Sequence, residues 1–318
     1  MKHTLWLSAA LIATLSGPVH AEETTLRAAS AFGLGTAFSK QFESFVAYVN
    51  ENGKGVVQID LVGGPEAVPP FELGNAVSSG VVDMGNAPTA FYTNIIPEGD
   101  ALKLSTNTIQ EQRENGCYEL VDDLHQTKMG VKYLARTGDL VPFHLYLTKP
   151  IDGPDLNGLT IRTTPVYQAM FQKLGANLVR TAPGEVYTAL ERGTIDGYGW
   201  PIQGVLDLGW HEQTKYRVDP GFYHVEVNVI VNLDKWNGLT DEQKAFLEKA
   251  AAELEASNAD AVAINEKEVA AQKDAGIEVI EFSDADRDAW LNTAYDEGWA
   301  AISAINADFA DKLRACFN

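Results

Sequence analysis

The stretch LNGLTIRTTPVYQAMFQKLGA, residues 156–176, places one arginine, Arg162, at the end of a short β-type run. Thr163, Thr164 and Pro165 follow, and then a segment that reads as helix. A guanidinium at such a junction can offer two parallel charge-assisted hydrogen bonds to a carboxylate, which lysine cannot imitate. It can equally be a solvated or structurally paired strand arginine. Other chemistry leaves less trace. There is no G-x-S-x-G and no cysteine–histidine context for a nucleophile. The GLGT at 33–36 is too short for a phosphate loop, and VGGPE opens no motif that fits. Asp122 and Asp123 sit side by side on a predicted helix and read as solvent-facing rather than as an acid–base pair. No CxxC, HExxH or clustered His/Asp/Glu spacing suggests a metal, and no cofactor is implied.

The elements that must position Arg162 follow from periodicity. Residues 24–31 read as a strand, and the apolar positions Phe38, Phe42, Phe45, Val46 and Val49 as a helix closed by Gly53. VVQIDLV alternates as a strand, a helix runs from about Pro70 to Gly80, and a strand enters at Asp83 and Met84. This β-α-β-α-β order implies a mostly parallel sheet flanked by helices. The second half repeats it, with strands at VPFHLYLTKPI and LTIRTT, a helix at PVYQAMFQKLGA and a strand at NLVRT. AVSSGVVD, holding Ala76, Gly80 and Asp83, matches ALERGTID, holding Ala189, Gly193 and Asp196, 113 residues on. In both, a helix ends at a glycine suited to the left-handed C′ position. That spacing is common helix punctuation, but its shared context suggests two similarly built lobes.

EVNVIVNLDKW reads as a strand returning to the other lobe. Thr240 and Gln243 then form a capping box, and a helix of about 35 residues runs from Asp241 to about Ala275. A helix this long must lie across both lobes like a strut. The tail begins at a Ser283 cap and reads as further amphipathic helix.

Composition bounds what the ligand can be. Residues 1–21 read as a secretory signal peptide: Lys2 and His3, an apolar run from Leu5 to Leu15, then Val19 and Ala21 before the cut. The mature chain from Glu22 is thus expected to be exported and not membrane-inserted. The net charge of −20 becomes −21 once Lys2 is lost. So negative a chain disfavours nucleic acid and anionic membrane surfaces, and an anionic ligand needs a local cation. Cys117 and Cys316 can pair in an oxidising compartment or remain buried thiols.

The stretch from KPIDGPDLNGLTIRTT to ALERGTIDG resembles the solute-binding proteins of TRAP (tripartite ATP-independent periplasmic) transporters, DctP type. The carrying motifs are K-P-I, L-x-G-L-x-I-R, L-G-A and E-x-Y-x-A-L-x-x-G-x-x-D-G. GGPEAVPPFELGNAVSSGVVDMG, PEGDALKLS and VNLDKWNGLTDEQK match as well, so the resemblance covers nearly the whole mature chain in order. It implies that Arg162 grips the ligand carboxylate and that Trp200, after I-D-G, is a cleft residue suited to a compact or partly apolar ligand. Glu66, Thr89 and Tyr92 fall where members contribute further contacts.

The chain departs from the family at the strand before K-P-I. Some members carry a second arginine there; this sequence has Phe143, with His144 beside it. Arg136 can substitute or can form a strand-end salt bridge, and His144 can donate to the ligand or line a strand. Glu226 lies near the glutamate of metal-using members, but its local spacing fits poorly. Phe32 is either cleft wall or core.

The resemblance implies an α/β, two-lobed periplasmic binding protein fold, class II-like, with the long helix spanning both lobes. Lobe I is expected to hold 22–142 plus about 233–265, and lobe II 143–232 plus about 266–318. The function implied is capture of a small organic anion by hinge closure in the periplasm and delivery to TRAP membrane permease subunits. The alternatives are an ABC-type binding protein, a secreted enzyme such as an esterase or lyase using the same crevice, and a sensor accessory.

Overall fold

A computed structural model describes residues 22–317. The signal peptide expected at 1–21 lies outside the described residues. In chain order the elements begin β1 (Thr24–Ser30), α1 (Ala37–Asn52), β2 (Val57–Gly63), α2 (Leu73–Ser78) and β3 (Met84–Ala87). Next come α3 (Ile109–Asn115), α4 (Cys117–Met129), β4 (Val131–Thr137), β5 (Phe143–Leu147), β6 (Thr160–Thr163) and α5 (Pro165–Lys173). Then follow β7 (Asn177–Arg180), α6 (Val186–Glu191), β8 (Gly197–Pro201), β9 (Tyr216–Asp219), β10 (Val227–Asn232) and α7 (Leu233–Gly238). The chain ends with α8 (Asp241–Ala256), α9 (Ala261–Asp274), β11 (Glu278–Glu281), α10 (Asp284–Ile305) and α11 (Ala307–Phe317).

Two sheets form, with strand orders β2-β1-β3-β10-β4 and β11-β9-β5-β8-β6-β7. In the first, β1 runs parallel to β2 and β3, while β10 is antiparallel to β3 and β4. In the second, β6 is parallel to β7 and β8, while β5 is antiparallel to β8 and β9. The order β2-β1-β3 thus recurs as β7-β6-β8, each flanked by one antiparallel strand.

The duplicated sequence motif makes the same bonds in both lobes. Gly80 and Gly193 adopt φ of 74° and 64°, so each helix stops in the left-handed turn that glycine enters without strain. The Asp83 amide donates to the Arg27 carbonyl, and its carboxylate accepts from the Arg27 amide at 2.8 Å. Asp196 does the same with Thr160, again accepting at 2.8 Å. One aspartate therefore docks the third strand of each unit onto its first.

The lobe boundaries differ from the expected ones. β10 lies in the first sheet, between β3 and β4, so the second lobe's segment ends before Val227 rather than at 232. The apolar run Val227, Val229 and Val231 is buried there. The long helix is two helices, broken by a 3-10 turn at Ser257–Asp260. α8 packs on α1 and β4, whereas α9 reaches the second lobe through Gln272, which donates to the Ile202 carbonyl at 2.6 Å. At the break, the Asn258 side chain accepts from the Gly138 amide and donates to the Arg136 carbonyl. The strut is therefore pinned where it crosses between lobes.

The tail also departs from expectation. α10 packs on α5 and on the 3-10 segment Pro97–Leu104, so it touches both lobes. α11 returns to α3 and α4 of the first lobe, where Cys316 is disulfide-bonded to Cys117. Between β4 and β5, and again between β9 and β10, the chain crosses from lobe to lobe. The two crossings pair with each other: the Val225 amide donates to the Val141 carbonyl, and the Phe143 amide to the Tyr223 carbonyl. One apolar cluster runs continuously from lobe to lobe past this pair.

Candidate functional site

The carboxyl ends of β1, β3, β6 and β8 converge between the lobes, where open α/β sheets hold ligands. Arg162 lies at the penultimate position of β6 and is fully buried. Its Nε and Nη2 donate to the Thr181 carbonyl at 3.1 and 2.9 Å, and its Nη1 to the Gly199 carbonyl at 3.4 Å. Three of five N–H groups are thus used, leaving one on each terminal nitrogen, the pair a carboxylate takes in parallel.

Among the described residues no carboxylate pairs with Arg162. The other deeply buried cations do have one: Lys103 with Asp100, Arg136 with Asp139 and Arg217 with Asp219. Burial without a counter-ion pulls the pKa of Arg162 down to about 10, against smaller opposing effects of Tyr167 and Glu185. A buried cation that lacks its anion is a site with the anion still to be supplied.

Around it the walls are apolar and aromatic. Phe32 and Phe38 come from the start of the first lobe, Phe91 from the turn after β3, Phe143 from the start of β5 and Trp200 from β8. They enclose, with Arg162, Tyr167 and Glu226, a space of about 30 Å³. The guanidinium carbon lies 5.7 Å from the centre of the Trp200 ring, within cation–π range. Trp200 is itself wedged edge-on between Phe38 and Trp210, with centroids 6.0 and 4.7 Å away.

Glu226 stands just past the paired crossings, 5 % exposed. Its carboxyl accepts from the Thr89 amide at 2.9 Å, the Thr89 hydroxyl at 3.1 Å and the Asn228 amide at 2.5 Å. Burial nevertheless pushes its pKa up to about 8, so it is largely neutral at pH 7. Two ionisable groups of opposite type thus share one small apolar space without forming an ion pair.

Of the residues singled out in the sequence, the structure brings together Arg162, Trp200, Phe32 and Glu226. Thr89 and Tyr92 stand behind this group. Thr89 holds the Glu226 carboxyl, and the Tyr92 hydroxyl meets Asn228 and His125 at 3.0 and 3.2 Å. Three others point elsewhere. His144 faces away because side chains alternate along a strand: Phe143 takes the pocket side, and His144 contacts Asp219 and the Val218 carbonyl at 3.0 Å. Arg136 is consumed by Asp139 at 2.7 Å and the Asn107 carbonyl at 3.1 Å, so it offers no second clamp. Glu66 is exposed, and its carboxylate accepts from the Gly64 amide at 2.7 Å, which holds its pKa below the usual value and fixes its own turn.

Sequence reasoning missed Phe38, Phe91 and Tyr167 as site walls. Phe38 sits on the core face of α1 and read as ordinary core. Phe91 lies between Thr89 and Tyr92, on the pocket side of the 3-10 turn that turns those two inward. Among the described residues no group of three or more His, Cys, Asp or Glu could hold a metal ion. Nor, among those residues, is any helix long and apolar enough to cross a membrane.

Two lobes joined by paired crossings, with a buried cation between them that no carboxylate of the described residues pairs, are the architecture expected of a solute-binding protein. Residues 29–303 match the model of bacterial extracellular solute-binding proteins, family 7 (DctP). The chain belongs to that family, which is made of solute-binding proteins rather than enzymes. Among relatives, the C4-dicarboxylate-binding periplasmic protein DctP of Rhodobacter capsulatus is 34 % identical over 175 residues, 52 % of each chain. The monocarboxylate 2-oxoacid-binding periplasmic protein of a Nostoc species is 25 % identical over 225 residues, 66 % of this chain and 60 % of the relative. The chain thus spans about half to three-fifths of the length of these curated relatives.

Solved structures share the fold across almost the whole chain. The solute-binding protein of Pseudoalteromonas atlantica, with bound sodium and pyruvate, superposes with a TM-score of 0.81 at 20 % identity. That match covers 93 % of this chain and 94 % of the other. The Roseobacter denitrificans protein with bound L-galactonate gives 0.80 at 20 % identity, over 93 % and 99 %.

Proposed function

We propose that this chain is the extracytoplasmic solute-binding component of a TRAP transporter, taking a small organic acid between its lobes by the carboxylate. The observation that carries this reading is Arg162, fully buried at the junction of the lobes, with two free N–H groups and no carboxylate paired to it among the described residues. The ligands of relatives and structural neighbours agree on one feature. C4-dicarboxylates, 2-oxo acids, pyruvate and L-galactonate all carry a carboxylate.

In this reading the ligand supplies the missing anion, and Trp200, Phe32, Phe38 and Phe143 cover its carbon skeleton. Closing the lobes excludes water, and the same charges attract more strongly at lower effective dielectric. The protein acts in the periplasm and hands its cargo unchanged to membrane permease subunits. The test is thermal unfolding of the mature chain with and without small carboxylic acids, since a ligand of the folded state raises the midpoint by mass action. A carboxylate that raises it in wild type but not in Arg162→Lys supports the reading. An equal shift in both proteins refutes it.

A further inference from the structure

Beside the small space at Arg162 lies a second, larger one of about 240 Å³. The two share Phe32, Phe38 and Trp200 as common walls, so a molecule anchored at Arg162 can extend past these rings into the larger chamber. None of the side chains that line the chamber is charged. Apart from Thr36 they are alanines, glycines, prolines, Leu208 and the shared aromatic rings.

One polar atom in the chamber wants a partner. The indole Nε1 of Trp200 is buried and has no acceptor among the described residues. A buried donor left unpaired is costly, and in native structures such groups mark a missing water or ligand. Gly204, which also lines the chamber, stands next to this nitrogen: a Cβ built on that residue would lie in ordinary contact, 3.5 Å from Nε1 and 3.4 Å from the Ala37 side chain. Gly204 has φ +88°, a backbone that side-chain-bearing residues rarely adopt. The backbone thus accounts for the glycine, which leaves the space beside the indole N–H without a side chain.

We infer that the ligand is a monocarboxylate with an apolar tail, the tail filling the chamber and a single acceptor atom on it meeting the Trp200 N–H. The inference rests on the carboxylate reading of Arg162. Dicarboxylates and sugar acids are disfavoured, because a second charge or a row of hydroxyls would enter a chamber with no cation and, besides Thr36 and the Trp200 indole, no polar side chain. Each methylene moved from water into the chamber should tighten binding about fourfold.

The test is calorimetric titration of the mature protein with four probes: pyruvate, 4-methyl-2-oxopentanoate, succinate and L-galactonate. The branched acid carries three more carbons than pyruvate and should bind roughly 50-fold tighter on that scale. Succinate and galactonate should bind no better than pyruvate. Substituting Leu208→Trp, a half-buried position on the chamber wall, should cut the ratio between the branched acid and pyruvate at least tenfold. Equal affinities for pyruvate and the branched acid, or tighter binding of succinate or galactonate, would overturn the tail chamber while leaving the carboxylate reading intact. If instead none of the acids depends on Arg162, the carboxylate reading itself has failed. For the indole, Trp200→Phe should weaken 4-methoxyphenylacetate relative to phenylacetate; an unchanged ratio overturns the assignment of its N–H.

Discussion

Replacing Arg162 by methionine removes the anion site while keeping a flexible chain of similar length, and its effect on the empty protein can be worked out. Burial lowers the arginine pKa from its ordinary value to about 10, against the charged form. At roughly 1.4 kcal/mol per unit this is a penalty of about 3 kcal/mol. A base depressed in the folded state carries that penalty fully below its folded pKa and sheds it only above the unfolded value, so it is present at neutral pH. Methionine relieves it but leaves the carbonyls of Thr181 and Gly199 without their donors, at about 1–3 kcal/mol each. The two terms nearly cancel. The empty Arg162→Met protein should therefore melt within about 6 °C of wild type. Binding has no such compensation. Two hydrogen bonds to a charged group, at about 1.5–3 kcal/mol each, correspond to a loss of at least about a hundredfold in affinity. Differential scanning fluorimetry with and without a bound carboxylate, followed by calorimetric titration, reads both quantities. A fall of more than about 10 °C in the empty protein would make Arg162 a structural strut. A retained ligand shift would put the anion elsewhere.

The remaining predictions use other parts of the structure. Because burial raises the pKa of Glu226 to about 8, it is neutral below that pH and places a negative charge beside the ligand above it. Carboxylate affinity should fall as pH rises from 7 to 9.5, approaching tenfold per unit, and Glu226→Gln should flatten the profile between those limits. Reducing the Cys117–Cys316 bond, or replacing both residues with serine, frees α11 from α4 and should cost about 2–5 kcal/mol, read as a lowered denaturant midpoint. α1 lacks a side-chain cap from Thr36; its first amide, on Ala37, instead donates at 2.8 Å to Asp207 of the opposite lobe. Asp207→Ala should cost about 1 kcal/mol and raise the radius of gyration of the empty protein in solution scattering. Unchanged scattering would show that this contact does not bear on lobe separation.

Much of the architecture was legible because it rests on local rules. Helix caps at Thr240 and Ser283, and the left-handed stops at Gly80 and Gly193, are written in a few adjacent residues. The core face of α1 was readable from period alone. What failed was what depends on the partner across space. Val227 to Val231 was readable as a strand returning to the first lobe, but the boundary was set after it, because only its pairing with β3 and β4 shows that the whole strand belongs there. The break at Ser257–Asp260 leaves helical spacing intact on both sides, so no period marks it. His144 illustrates the limit at the site itself. Its neighbour Phe143 faces the pocket, and without knowing which face of β5 is inward a one-residue error selects the wrong side chain. Arg136 was ambiguous for the opposite reason: its partner Asp139 is only three residues on, yet the sequence cannot say which way either side chain turns.

The aspartate that caps α1 from across the cleft has a consequence for the protein when it is empty. If parting the lobes breaks that bond, its ~1 kcal/mol shifts the balance of shut and open molecules about fivefold toward shut, with nothing bound. Apparent affinity scales with the fraction already in the competent shape, so this bond tightens binding without touching the solute. The same bond lets vacant molecules resemble loaded ones to whatever reads the shut form. Asp207 thus sets a compromise between capturing scarce solute and reporting its presence faithfully, and it does so independently of which acid the site selects.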